Sequence, residues 1–116
     1  MIITLTGTVT HKGGGYAVVE AAGLGYQVLM NEPTLAALTL GTQIKLWTHE
    51  HIREDSRELF GFLAVAEHRL FGRLLSISGV GPKIALAILS LGSATEIEKK
   101  IDQGNIDWLC RVSGIG

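Results

Sequence analysis

The sequence predicts a β-barrel joined to a helical unit, and three observations predict it. Five short stretches up to Leu63 alternate apolar with polar residues or are rich in strand formers, with turn residues between them. From Ala64 onward apolar residues recur at helical spacing. Within that second half, Ile77-Ser78-Gly79-Val80-Gly81 returns 35 residues later as Val112-Ser113-Gly114-Ile115-Gly116, so the helical part contains a repeated unit. The boundary is a change of period rather than a linker. It gives units of residues 1–63 and 64–116, expected to dock on one another without a tether.

The first strand spans residues 2–10, with Ile3, Leu5 and Val9 on one side and Thr4, Thr6, Thr8 and Thr10 on the other. That alternation marks a half-buried strand. Lys12-Gly13-Gly14-Gly15 reads as a turn, Tyr16–Ala21 as the second strand, Gly23-Leu24-Gly25 as another turn and Tyr26–Met30 as the third strand. One helical turn is expected over Thr34–Leu38, after Pro33. Gln43–Ile52 is the fourth strand, and Arg57–Leu63 completes a hairpin with it. Five short strands at these intervals suggest a small closed barrel.

In the second half, Val65, Leu70, Phe71, Leu74, Leu75 and Ile77 form one apolar helical face. The next helix runs from Pro82 to Leu91 and stops at Gly92. Ser93-Ala94-Thr95-Glu96 reads as a capping box opening a third helix, Ala94–Gln103, which Gly104 ends. Asn105 can cap a fourth, Ile106–Val112.

The turn between the first two helices, Gly79-Val80-Gly81-Pro82-Lys83, carries the chemistry. Gly79 and Gly81 suit a turn that needs φ > 0 or close backbone approach. Pro82 suits the first helical position, where a missing N–H costs nothing. The free N–H groups of that helix start, with the Lys83 ammonium beside them, make an anion site that can hold a phosphate and cannot read a base. Gly114, Ile115 and Gly116 begin a second such site. Two phosphate clamps at fixed separation suit a nucleic-acid backbone.

Composition narrows the function classes. The chain has 116 residues, 47% of them apolar, enough for one ordinary domain or two very small ones. The core of each half is then thin, so packing between halves or between copies of the chain is expected to matter. No 18-residue apolar run offers a membrane span, and Met1-Ile2-Ile3-Thr4 is not the start of a signal peptide. A single cysteine, Cys110, makes no intrachain disulfide, which fits a reducing cytoplasm. Net charge is −1: four Lys/Arg against six Asp/Glu up to residue 62, and six against five beyond it. Any nucleic-acid binding must therefore come from placed groups and several copies, not from a bulk basic surface.

Gly79-Val80-Gly81-Pro82-Lys83 resembles a helix-hairpin-helix DNA-binding motif. With Ala85-Leu86-Ala87-Ile88-Leu89-Ser90 after it, and Arg53-Glu54-Asp55 and Leu59-Phe60-Gly61-Phe62 before it, the chain is similar to the RuvA family along its whole length. These are Holliday-junction-binding subunits of a bacterial branch-migration complex. The resemblance implies an OB-fold for the barrel and a tandem helix-hairpin-helix domain after it, the second hairpin cut short at Gly116. It implies a homotetramer, one or two per junction, that holds a four-way DNA junction open in recombination and repair. The function expected is non-catalytic, cytoplasmic and without cofactor. The partners implied for the intact protein are the RuvB motor and the RuvC resolvase. The family's C-terminal RuvB-binding domain does not appear in this sequence, so that contact is expected to be lost.

Glu54 and Asp55 read by themselves as a solvated turn. By resemblance they form an acidic pin at the centre of the tetramer, where a ring of carboxylates repels converging phosphates and keeps the strands apart. Arg53 and Arg57 flank the pin as candidates for guiding strands, or as intra-hairpin ion pairs of little consequence.

Other constellations carry weaker signals. The glycine run at 13–15 lacks the Gly-Lys-Ser/Thr ending of a phosphate loop. Tyr16, Tyr26, Trp47, Phe60 and Phe62 are candidates for stacking single-stranded bases, but are scattered one or two per strand and read better as core or subunit contacts. His49 and His51 share a strand face while Glu50 points away, leaving no third metal ligand; His11 and His68 look isolated. Cys110 aligns with Leu75 and reads as a small core residue. One enzymatic rival is a helix-hairpin-helix DNA glycosylase or lyase, with Lys83 as nucleophile and Asp102 as its aspartate. Asp102, however, falls inside the third helix beside Lys99 and Lys100, and little chain remains for a base-flipping pocket.

Overall fold

The computed structural model describes residues 1–105 and residue 107. The chain divides into two compact units, residues 1–68 and residues 69 onward. In the first, β1 (Thr4–Gly13), β2 (Tyr16–Ala21), β3 (Leu24–Leu29), β4 (Gln43–Ile52) and β5 (Arg57–Phe62) close a barrel in the order β1-β2-β3-β5-β4. All its pairings are antiparallel except β3 with β5. This is the five-stranded, OB-like barrel that the alternating pattern and the family resemblance implied.

β1 closes the ring because it serves two ladders. Thr4–Thr8 pair with β4, and Thr8–Gly13 pair with β2. A bulge between Val9 and His11 turns the strand from one partner to the other, the usual work of a bulge at a barrel corner. The strand therefore runs three residues past the expected end at Thr10, and Lys12 belongs to it rather than to the turn. Inward-facing residues are Leu5, Gly7 and Val9, whereas Ile3 precedes the strand and is 45% exposed. A Cβ at Gly7 would come within 2.3 Å of the Glu20 carbonyl oxygen, so only glycine allows β1 and β2 to approach this closely.

The barrel core comprises Leu5, Val9, Ala17, Val19, Val28, Met30, Leu35, Leu38 and Leu46. Two of these come from α1 (Glu32–Ala37) and its C-cap. Asn31 caps that helix, its side-chain oxygen accepting from the Thr34 N–H at 2.9 Å. Lys12 closes the other end, donating from Nζ to the Leu35 and Leu38 carbonyls at 3.0 and 2.8 Å.

α2 (Val65–Leu75) begins in the barrel's unit, where a ring nitrogen of His68 lies 2.8 Å from the Thr48 carbonyl oxygen. The second unit contains the rest of α2, α3 (Pro82–Leu89) and α4 (Ala94–Asp102). Its buried apolar residues are Leu70, Phe71, Leu74, Val80, Ala85, Ile88, Leu89 and Ile97. The Ser93–Glu96 capping box forms as expected: the Glu96 N–H donates to Ser93 Oγ, and the Ser93 N–H donates to the Glu96 carboxylate. α3 is two residues shorter than expected, ending with Ser90 as C-cap. The expected fourth helix, Cys110 and the second clamp at Gly114, Ile115 and Gly116 lie outside the described residues, Asp107 excepted.

Candidate nucleic-acid interface

Two separate features carry the candidate chemistry, one in each unit. The first is the β4–β5 hairpin. Its ladder runs from Trp47↔Phe62 to Ile52↔Arg57, and the Arg53 N–H donates to the Ser56 carbonyl at 2.8 Å to close the turn. Glu54 and Asp55 are the two residues at the tip, and both are exposed. β1 pairs with β4 only up to Trp47, and β3 pairs with β5 only at Leu59 and Phe60. Thr48 is still held from outside, its N–H donating to the Ile3 carbonyl and its hydroxyl to the Ile2 carbonyl. Past Glu50 and Leu59 the hairpin has only its own ladder, so at about 3.4 Å per residue it extends some 15 Å past the barrel's paired region. The protrusion of the hairpin thus follows from strand lengths and register.

The two flanking arginines lie on opposite faces of this hairpin. Arg57 shares a face with Glu50, and its Nη2 donates to Glu50 Oε1 at 3.2 Å. The Glu50 side chain is only 5% exposed and that of Arg57 69% exposed. Arg57 thereby satisfies a buried acid, which ties it to the hairpin rather than leaving it free. Both line an open groove of about 560 Å³ where β3 and β5 part. Arg53 turns to the other face and donates from Nε to His51 Nε2 at 3.0 Å.

That second face holds His49 and His51, and His68 from α2 acts on it. His49 has its pKa held below the usual histidine range, first by burial and then by His68 and His51. His68 is therefore not isolated. It also lies 6.2 Å from Trp47 and 6.3 Å from Phe62, centroid to centroid. His11 sits 6.2 Å from the Tyr16 ring. Among the described residues no group of three His, Cys, Asp or Glu side chains is placed to hold a metal ion.

The aromatic residues do not form a stacking row. Phe60 and Phe62 are fully buried. Lys45 Nζ stands 5.1 Å from the Trp47 ring centroid, so Trp47 has both a cation and the His68 ring as neighbours.

The second feature is the turn between α2 and α3. α2 ends in a tightened turn, the Ser76 and Ile77 N–H groups donating to the Arg73 and Leu74 carbonyls. Gly79 takes φ +85°, the left-handed region that the tight turn requires. Val80 folds inward and is buried, its N–H donating to the Ile77 carbonyl. Of the two reasons for glycine in this turn, positive φ or close backbone approach, the first does not apply to Gly81: it is extended, with φ −88° and ψ 177°, and is the N-cap of α3. No heavy atom lies within 4 Å of a Cβ built on it, so its lack of a side chain answers no contact inside the protein. Pro82 occupies N1, and no side chain caps the helix. The Lys83 and Ile84 amides, in the first turn of the helix, bond no carbonyl or side chain among the described residues. Lys83 itself is exposed. Asp102 is occupied: it accepts from Arg73 Nη2 at 2.7 Å. It is an exposed ion-pair partner at the end of α4, in a setting unlike that of a catalytic aspartate.

Residues 1–61 match the family described as RuvA N terminal domain, and residues 71–116 match the SAM-like helix-hairpin-helix tandem. Among curated relatives, a protein of Mycobacterium sp. (strain KMS) is 45% identical over 116 residues. One from Syntrophotalea carbinolica is 43% identical, and one from Corynebacterium diphtheriae 42%. Each bears the name Holliday junction branch migration complex subunit RuvA, and each match covers all of this chain. The chain spans 59%, 59% and 57% of those relatives' lengths, respectively. No helix among the described residues is long and apolar enough to cross a membrane.

Proposed function

The chain belongs to the RuvA family, and from that premise we infer that it binds four-way DNA junctions by their shape, as a homotetramer and without chemistry of its own. The observation that carries this is the α2–α3 turn. Gly79 reverses the chain, Pro82 starts α3, and the amides of Lys83 and Ile84 have no hydrogen-bond acceptor among the described residues, next to the exposed Lys83 side chain. A phosphate satisfies those donors and the positive end of the helix dipole together. The bare Cα of Gly81 leaves room for it to approach. Backbone amides at a helix start carry no base code, so recognition is of backbone geometry.

The hairpin tip supplies discrimination. Glu54 and Asp55 stand beyond the barrel's paired strands, free of compensating ion pairs among the described residues. Four such tips brought together by a tetramer put eight carboxylates where junction strands cross. Like charges there disfavour a collapsed crossover and any DNA that must pass through the centre. The relatives' names place them in a branch migration complex. In that setting the intact protein would present the open junction to the RuvB motor, with RuvC as a further partner, in recombination and repair.

A gel-shift titration with four-way, duplex and single-stranded DNA at several salt concentrations tests the reading. Junction DNA should bind tightest, with log affinity falling linearly against log salt. Equal binding of all three, or a preference for single strands, would overturn it.

A further inference from the structure

We propose that the outer face of β4 is a track for one DNA strand leaving the crossover, whose phosphates it holds with Lys45 and Arg53. This rests on the reading of Glu54 and Asp55 as the pin. What carries it is the use the barrel makes of its cations. The first unit has four Lys and Arg side chains: Lys12, Lys45, Arg53 and Arg57. Two are committed within the fold, Lys12 to the Leu35 and Leu38 carbonyls and Arg57 to the buried Glu50. The other two are exposed. The Lys45 ammonium and the Arg53 Nη groups make no hydrogen bond or ion pair among the described residues.

Both uncommitted cations lie on the same side of one strand. Lys45, Trp47, His49 and His51 alternate with the buried Leu46, Thr48 and Glu50, so they face out of the barrel, and Arg53 continues their line at the foot of the tip. At about 3.4 Å per residue, roughly 27 Å separates Lys45 from Arg53. Each cation is held on that line. Lys45 Nζ stands 5.1 Å from the Trp47 ring centroid, and Arg53 Nε donates to His51 Nε2 at 3.0 Å, so less side-chain freedom remains to be lost on binding. Thr4 and Thr6, directly across the ladder from Trp47 and Lys45, are exposed and add hydroxyl donors. The acid that the β5 ladder brings to this face is Glu58, half-buried opposite His51. The other face of the hairpin offers no such line, because Arg57 is neutralised by Glu50 and Ile52 beyond it is apolar and exposed. A strand turned aside by the carboxylates of the tip thus meets Arg53 first and Lys45 next. Such groups donate to phosphate oxygens, which positions a strand without reading it.

The experiment compares the unaltered chain with Lys45→Gln, Arg53→Gln and the double variant in salt-titrated binding to two probes, a fork with one unpaired oligothymidylate arm and a fully paired duplex. Each replacement should weaken fork binding roughly two- to fivefold, the size of one exposed ion pair. The double variant should lower the slope of log affinity against log salt on the fork by about 1.4, the amount for two single-strand phosphates. Duplex binding should stay as it was. An unchanged fork slope, or an equal loss on the duplex, overturns the proposal. A second measurement leaves both cations in place. The Trp47 indole N–H resonance, assigned by its loss in Trp47→Phe, should shift when oligothymidylate is added to the unaltered chain, and a stationary resonance overturns the proposal as well. Absence of any preference for four-way DNA would refute the proposed function instead, and the fork slope and the indole shift would still decide whether β4 carries a strand.

Discussion

Replacing Gly81 by alanine separates the fold from the function. Its backbone is extended, a conformation that alanine adopts freely, and a Cβ there meets no protein atom within 4 Å. Alanine reduces the freedom of the unfolded chain, worth about 0.4–1 kcal/mol in favour of folding. It is also a poorer N-cap than glycine, by an amount of about the same size. The two nearly cancel, so stability should change by less than about 0.5 kcal/mol. DNA binding should change far more. The methyl group precedes the uncapped amides of Lys83 and Ile84, and pushing a phosphate off them removes charge-assisted hydrogen bonds worth about 1.5–3 kcal/mol, or roughly ten- to a hundredfold in affinity per site. Gly79→Ala is the control with the opposite balance. Its φ of +85° costs an alanine about 1–2 kcal/mol, so melting temperature should fall. Thermal unfolding by circular dichroism and gel shift with four-way DNA read the two effects. A Gly81→Ala protein that melts normally and binds normally would show that no phosphate approaches this turn.

Four further outcomes are expected. Lys83→Ala should weaken binding to all DNA forms alike and lower the slope of log affinity against log salt by about one per clamp, measured by salt titration. Glu54→Gln with Asp55→Asn should keep or tighten duplex binding while reducing the preference for four-way DNA about fivefold; unchanged discrimination in competition gel shifts would remove the pin from the mechanism. Gly7→Ala should destabilise the barrel by about 1–3 kcal/mol, read by denaturant unfolding, because the new Cβ meets the Glu20 backbone. His49 has a folded pKa below its ordinary value of 6.5, so the unfolded chain takes up its proton first as pH drops. The stability contribution is present above about pH 6.5 and is lost as pH falls from there toward the lowered pKa. His49→Gln should flatten that part of the stability-against-pH curve.

Most of the barrel was legible because strands buried on one face must alternate, and Gln43–Ile52 with Arg57–Leu63 shows where a hairpin turns. The helix start at Pro82 and the capping box at Ser93 were equally plain, since caps use local chemistry within four residues. Lys12 was not. Its ammonium caps carbonyls at Leu35 and Leu38, more than twenty residues away. A bulge moved it from a turn into a strand, and nothing in the local sequence marks that bulge. His68 looked solitary for the same reason: its partner is the Thr48 carbonyl on another element.

The candidate site divides along the same line. Glycines, a proline and a lysine in a row determine a turn with bare amides and a cation, because backbone conformation and helix-end donors depend on neighbours in the chain. The identity of Glu54 and Asp55 as tip residues is likewise set by the two strands that flank them. Only the closed barrel decides that this tip stands clear of other strands, through where β1 and β3 stop pairing. Only it assigns Arg57 to a buried Glu50 and Arg53 to His51, on opposite faces. Charge pairing depends on distance in space, and a sequence lists order along the chain.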